Sequence, residues 1–514
     1  MPIGILLTMT PLILDGKPLT IGDVAHVARA GQPVEIGPKA TAQLRTARAV
    51  IESHLNDGQP HYGINTGFGS LSRVRIPGDQ LREVQRNLIR SHAAGVGDPL
   101  PEDVVRAMML ILAASLCRGH SGVRVELVQA ICDLLNRGIT PVVPSRGSVG
   151  ASGDLAQLAH AALVLIGEGF ARFSGQLMPG GDALKSAKLK PVILEAKEGL
   201  AIINGTHLMC AIGSLALADI HNLEQSAIAS AAMAIDACRA TDAFLDDRLH
   251  VARNQPGQRR VATQLRELLE GSTILPAHRE NDPRVQDPYC LRASPQVLGA
   301  AVDTIAHARQ VIENELGAVT DNPLVFTDTH LPSIVSGGNF HGMPLAIALD
   351  TLKIALCHIA GIAERRINWL LTASDSENPV SVYLSPQPGL HSGMMIVQYT
   401  AAACCNELQT LAHPASVHNI PTSAGIEDYN SMGATSAHQL RTTVDLCTSV
   451  IACELLVMAE AMEYQRPLRS GHGVEGAYQT IRSKVTRLSV DRPPAPDIAA
   501  IAALIRDGQL AIKS

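Results

Sequence analysis

Apolar positions concentrate in five long stretches, Leu208 to Ala240, Pro295 to Leu316, Pro344 to Thr372, Ser392 to Leu411 and Ser436 to Arg466. Each is rich in Ala and Leu and predicts a buried helix of several turns. Ahead of them, Met9 to Gly31 reads as a short strand, "LILDGKPLT", a turn and a helix beginning near Ile21, and a helical pattern covers Lys39 to Leu55. From about Asp79 to Gly138 the pattern is helical again, broken at "SHAAGVGDPLP", where Gly and Pro stop one helix and start the next. Leu155, Leu158, Ala159, Ala162, Leu163 and Ile166 predict a helix from near Asp154 to Gly167.

Polar and aromatic residues gather between these elements, in "INGTH", "NDPRVQDPYCLRASPQ", "SGGNFHG" and "NIPTSAGIEDYNSMG". "HYGINTGFGSLSR" (His61 to Arg73) has three Gly and no apolar periodicity, so it predicts a long loop of the kind that carries function. The expected fold is all-α (mainly helical, minor β), an elongated bundle of long central helices with an N-terminal mixed domain and loops converging on one site. The expected division is 1–207, then 208–475 for the long helices, then a helical segment 476–514, in which only "RPPAP" resembles a linker.

Composition agrees with this reading. At 514 residues the chain exceeds the ~250–300 at which one core stops growing. Hydrophobic residues make up 46% but aromatics only 3%, which suits helices packed through Ala, Leu, Ile, Val and Met. A net charge of -6, with no basic block, argues against nucleic acid as a partner. Apolar runs such as "AMMLILAASLC" are too short to span a bilayer, so no membrane segment is expected. The start, "MPIGILLTMTPLILDG", lacks a basic leader and a cleavage site, and Met9 is a second candidate start. Ten scattered cysteines without zinc-site spacing read as reduced thiols of a cytoplasmic protein.

The chemistry centres on "GSVGASGDLAQLAH", Gly147 to His160. One reading makes Ser152 or Asp154 an N-cap and the glycines a turn. The other uses the missing side chain of Gly153: its backbone nitrogen attacks the Ala151 carbonyl, and loss of water and then of the Ser152 hydroxyl leaves an electron-poor methylidene.

That stretch resembles the signature of the aromatic amino acid ammonia-lyase and aminomutase family, which builds 4-methylidene-imidazol-5-one (MIO) from Ala-Ser-Gly. "YGINTGFG", "SHAAGVG", "GLAIINGT", "QDPYCLR", "TDNPLVF", "SGGNFHG" and "IEDYNSMG" follow the family's order over nearly the whole chain. The reaction needs an electrophile for the amine, a base, and clamps for carboxylate and ring. The resemblance implies MIO from Ala151, Ser152 and Gly153, Tyr62 as base, and Asn204 donating a hydrogen bond to the MIO oxygen. It also implies Arg292 as the carboxylate clamp, with Gln286 and Tyr289 beside the carboxylate and prosthetic group, and Phe340 as a wall of the ring pocket. A guanidinium suits the clamp because it offers two parallel donors.

Two positions bear on the substrate. The pair before "AAGVG" reads Ser-His in members acting on histidine, His-Leu in those acting on tyrosine and Phe-Leu in those acting on phenylalanine; here it is Ser91-His92. Glu427 stands where histidine-type members carry Glu, and a carboxylate can accept an imidazole N–H, whereas beside phenyl it would be desolvated without a partner. Gln157, Ala293-Ser294, Gly342-Met343, "PGLHSG" and Gly425-Ile426 depart from the histidine-type pattern. The expectation is elimination of ammonia from L-histidine to trans-urocanate, with no metal or dissociable organic cofactor. The alternatives are a phenylalanine or tyrosine ammonia-lyase, an aromatic 2,3-aminomutase, or an inactive scaffold of the same fold. A small-molecule amino acid substrate and a homotetramer with active sites shared between subunits are the partners implied.

Overall fold

Thr20 starts the first helix: its hydroxyl accepts the Asp23 N–H at 3.0 Å and the Asp23 carboxylate accepts the Thr20 N–H at 2.8 Å. This reciprocal cap opens Ile21–Ala25, and the preceding strand Leu12–Leu14 pairs in parallel with Val34–Ile36. The computed structural model describes residues 9–511 except 56, 58, 68, 70–72, 281 and 328–332. The apolar start and part of the His61–Arg73 loop therefore lie outside the described residues.

The fold is mainly helical, with short two- and three-stranded sheets. All five long helices form: His207–Ala237, Ser294–Glu315, Met343–Leu371, Met395–Leu411 and Gly433–Gln465. The stretch 79–138 differs from its sequence reading. It holds three long helices, Leu81–His92, Glu102–Leu116 and Val125–Arg137. The second break falls at "CRGHSGVR", where Gly122 has φ 67° and a Cβ there would lie 2.4 Å from Ile51 Cγ1. Only glycine fits that approach, and the two glycines among polar residues in this stretch are the local break that the sequence reading passed over. At the first break, Val96–Pro99 pairs antiparallel with Pro144–Arg146, which ties the end of the Ser91-His92 helix to the segment entering the tripeptide.

The chain forms two compact units that are not consecutive stretches. One comprises Met1–Leu215, Arg309–Leu349 and Ala415–His438; the other comprises Ala216–Ala308, Asp350–Pro414 and Gln439–Ser514. In the first, Glu102–Leu116 is buried from Val104 onward except at Arg106. The Arg106 guanidinium is half-buried, and it donates to the carbonyls of Val27, Ala28 and Leu135. In the second, Arg366 and Glu454 are both fully buried and paired, and Arg366 Nη1 also donates to Ser294 Oγ at 3.1 Å.

Met343–Leu371 and Gly433–Gln465 are long and apolar enough to cross a membrane by length and composition, with mean hydropathy 1.7 and 1.6. They are longer than "AMMLILAASLC", the run on which the expectation of no membrane segment was based, but 67% and 78% of their apolar windows are buried within the protein.

Candidate active site

A cavity of about 860 Å³ in the first unit is lined by Tyr62, Ser91, His92, Ala151, Ser152, Asn204, Phe340 and Glu427, eight of the twelve residues expected at the site. Gly153 adjoins it through the chain. Gln286, Tyr289 and Arg292 lie in the second unit and do not line it. There Arg292 Nε donates to the Asp287 carbonyl at 2.9 Å and its guanidinium sits 4.7 Å over the Tyr289 ring, which is 73% exposed.

The tripeptide is held by backbone. Gly205 N–H donates to the Ser152 carbonyl at 3.2 Å, and Asp154 N–H donates to the Gly205 carbonyl at 2.8 Å. Gly153 has φ 72°, and a Cβ there would lie 2.0 Å from the Gly205 oxygen. On the other side, Met432 N–H donates to Val149 O at 2.9 Å and the Ser431 hydroxyl donates to Gly150 O at 3.0 Å. "INGT" and "DYNSMG" thus grip the turn, and its third residue must lack a side chain. That is the requirement for its nitrogen to approach the Ala151 carbonyl, so the residues fit the MIO group.

Asp154 stands at the N-cap position of Leu155–Leu165 but makes no side-chain bond to that helix. It caps another helix instead. Oδ2 accepts the Leu208 and Met209 N–H groups at 2.9 and 3.0 Å, and Oδ1 accepts from the Ser148 hydroxyl at 3.0 Å. Burial pushes its carboxyl up to about 7, against these hydrogen bonds, which favour the charged form. Because the folded value lies above the ordinary 3.8, the group's stabilisation is complete below pH 3.8 and is lost as pH rises through about 7. The loss is on the order of 4 kcal/mol. Asp154→Asn keeps every bond: its oxygen takes the two N–H groups and its NH2 donates to Ser148. The melting temperature of the wild type relative to this variant is expected to fall between pH 4 and 8. Parallel melting curves over that range would contradict it.

His92 Nδ1 lies 2.9 Å from the Leu88 carbonyl and 3.1 Å from Ser91 Oγ. A carbonyl can only accept, so Nδ1 carries the proton and Nε2 is left as an acceptor. Glu427 Oε2 accepts from the Thr422 hydroxyl at 2.7 Å, within a tight turn closed by Thr422 N–H to the Glu427 carbonyl at 2.9 Å. Gly69 N–H reaches the Tyr62 phenol oxygen at 3.4 Å.

Sequence reasoning passed over two cavity residues that the structure supplies. His341 sits next to Phe340; Nε2 donates to the Tyr429 carbonyl at 2.9 Å while Nδ1 accepts the Met343 N–H at 3.4 Å. It ties the Phe340 loop to the Glu427 loop. Asn322, from "TDNPLVF", accepts the Gly337 N–H at 2.7 Å. Both lie inside motifs that were visible, but only tertiary contacts distinguish them from their neighbours. Among the described residues no group of three or more His, Cys, Asp or Glu is placed to hold a metal.

A family model described as aromatic amino acid lyase matches residues 19–483. The chain belongs to the aromatic amino acid lyase family. Members of this family use MIO. A histidine ammonia-lyase of Myxococcus xanthus is 46% identical over 499 residues, covering 97% of each chain. The crystal structure of histidine ammonia-lyase from Trypanosoma cruzi superimposes with a TM-score of 0.90 at 38% identity, covering 98% of this chain and 94% of that one. The tyrosine aminomutase of Streptomyces globisporus gives a TM-score of 0.90 at 34% identity, covering 98% of each. Like its histidine ammonia-lyase relatives, the chain is a carbon-nitrogen lyase. Gln157 is fully buried, with Nε2 3.5 Å from the Pro144 carbonyl.

Proposed function

We propose that this chain is a histidine ammonia-lyase that eliminates ammonia from L-histidine to give trans-urocanate. The observation that carries the substrate is that His92 and Glu427 line the same cavity as Ser152. With Nδ1 committed to Leu88, His92 Nε2 accepts one N–H of the substrate ring in its imidazolium form, and the Glu427 carboxylate, which stabilises that charge, accepts the other. A phenyl ring offers neither donor and would leave both acceptors desolvated without a partner. MIO formed from Ala151, Ser152 and Gly153 supplies the electrophile that takes up the amine. Tyr62, on its glycine-rich loop, removes the β-proton, and Phe340 walls the ring.

Arg292 binds the substrate carboxylate with Gln286 and Tyr289 beside it, supplied by another copy in a homotetramer. Their absence from the cavity of a single chain supports this, as does the exposure of Ile347, Ile354, Ile396 and Tyr399 on long helices. Ten free cysteines support a cytoplasmic location.

Incubation with histidine, phenylalanine and tyrosine separately, following the unsaturated product, tests the substrate; absence of urocanate rejects it. Glu427→Gln exchanges one acceptor for an amide, and is expected to lower kcat/KM for histidine about 10–100-fold, the scale of one charged hydrogen bond. An unchanged value would remove Glu427 from ring recognition. The likeness to an aminomutase motivates one check on the outcome: chromatography for a β-amino acid distinguishes re-addition of the amine from its release.

A further inference from the structure

Gly95 lies where two segments of the site meet. The helix Leu81–His92 ends at His92, and the strand Val96–Pro99, paired with Pro144–Arg146, begins after a link of only Ala93, Ala94 and Gly95. Two of the N–H groups in this link turn back on the helix: Ala93 N–H donates to the Ile89 carbonyl at 3.1 Å and Ala94 N–H to the His92 carbonyl at 2.8 Å. The third, from Gly95, crosses to another element and donates to His160 Nε2 at 3.0 Å. A lone pair is needed there, so His160 is neutral and carries its proton on Nδ1. Burial favours that form by holding the imidazole below its ordinary value. The fit around the bond is close. A Cβ on Gly95 would lie 3.1 Å from the Arg146 carbonyl oxygen and 3.2 Å from His160 Nε2, and one on Gly147 would lie 3.2 Å from Gly95 Cα.

His160 stands in the second turn of Leu155–Leu165, the helix that follows Ala151-Ser152-Gly153. The backbone that carries His92 is therefore bonded to the element that carries the tripeptide at its N-terminal end. We infer that His160 is a positioning residue that sets the distance between His92 and Ser152, and through it the fit of the substrate ring. It is not among the residues that line the cavity, so it acts through the main chain and not by touching substrate. The His92 bond to the Leu88 carbonyl orients the imidazole on its own helix, whereas the Gly95 bond fixes the end of that helix against the one beside the tripeptide. A small displacement of a group that orients the ring is costly in rate, because the reacting atoms must meet within a narrow geometry. The inference rests on reading His92 as the acceptor of a ring N–H.

The test is a double-mutant cycle on the full-length enzyme, read as kcat/KM for L-histidine. His160→Leu removes the acceptor and is expected to lower kcat/KM about tenfold, the scale of one lost hydrogen bond that leaves its donor unpaired. His160→Phe, which keeps a ring without an acceptor, should do the same. His160→Gln, whose side-chain oxygen can take the Gly95 N–H, should restore most of the loss. In a His92→Leu background the Leu and Phe changes are expected to cost about twofold or less, because the group they position is gone. The peptide containing residue 152 should show the loss of two waters in every variant. A full loss that persists without His92, no loss at all in the presence of His92, no restoration by Gln, or a missing mass loss overturns the inference. So does failure of both the Leu and Phe variants to fold while His160→Gln folds, since the bond would then serve stability. No urocanate from the wild type, or an unchanged kcat/KM in His92→Leu alone, rejects the ring reading and this inference with it. If His92→Leu lowers kcat/KM and the His160 variants do not, the ring reading stands and only the positioning role falls.

Discussion

Ser152→Ala is expected to leave a folded protein whose turnover is reduced at least about 10⁴-fold, the scale of deleting a group that forms a covalent bond to substrate. The fold should survive because the turn is gripped through backbone atoms, Gly205 N–H to Ser152 O and Met432 N–H to Val149 O, which alanine keeps. Without the hydroxyl no water can leave to form the methylidene, so the peptide containing residue 152 should lack the mass loss of two waters that the wild type shows. Retained turnover, or the same mass loss in the variant, would refute the electrophile. The variant also probes subunit sharing. Co-expressed with Arg292→Met chains, it should recover part of the activity, because a mixed assembly can join an intact tripeptide to an intact clamp. No recovery from a mixed assembly would place both groups in one chain.

The largest stability effect is expected at Arg366. Its guanidinium meets Glu454 through Nε and through Nη2, the latter at 3.0 Å, and both side chains are fully buried. Arg366→Met leaves the Glu454 charge in the core without its partner and should destabilise the protein by about 3–5 kcal/mol. The pair itself need not be stabilising, since desolvation offsets much of its attraction. Replacing both residues, Arg366→Met with Glu454→Leu, should therefore recover most of the loss. Thermal and chemical denaturation of the single and double variants decide it. Equal destabilisation in the two would show that the cost lies in lost packing and not in an unpaired charge.

These two predictions draw on different layers of information. Ala151-Ser152-Gly153 was legible because the chemistry requires three particular residues in order, and the surrounding motifs come in the family's order. The long helices were legible for a simpler reason: a buried helix needs an unbroken run of apolar helix formers, and such runs end visibly at Gly, Pro and polar patches. Arg366 and Glu454 sit 88 positions apart inside two such runs, and nothing local to either marks the pair. The break at Gly119 to Gly122 is different: two glycines among polar residues mark it locally, and only the reason glycine is required there, the closeness of Gln43 and Ile51, is a tertiary fact.

Asp154 shows the boundary most clearly. The residue stands where a helix cap belongs, and local pattern assigns it to the helix that follows. In the structure it caps His207–Ala237, whose first turn is brought against it by folding. The sequence by itself determined the helical class and the family and pointed to the tripeptide proposed as the electrophile, since those depend on residue type and on order along the chain. Only the tertiary structure decided which expected residues share a cavity and which tautomer His92 adopts. Each of those depends on partners distant in sequence, and hydrogen bonds in a buried site are fixed by what lies across the gap.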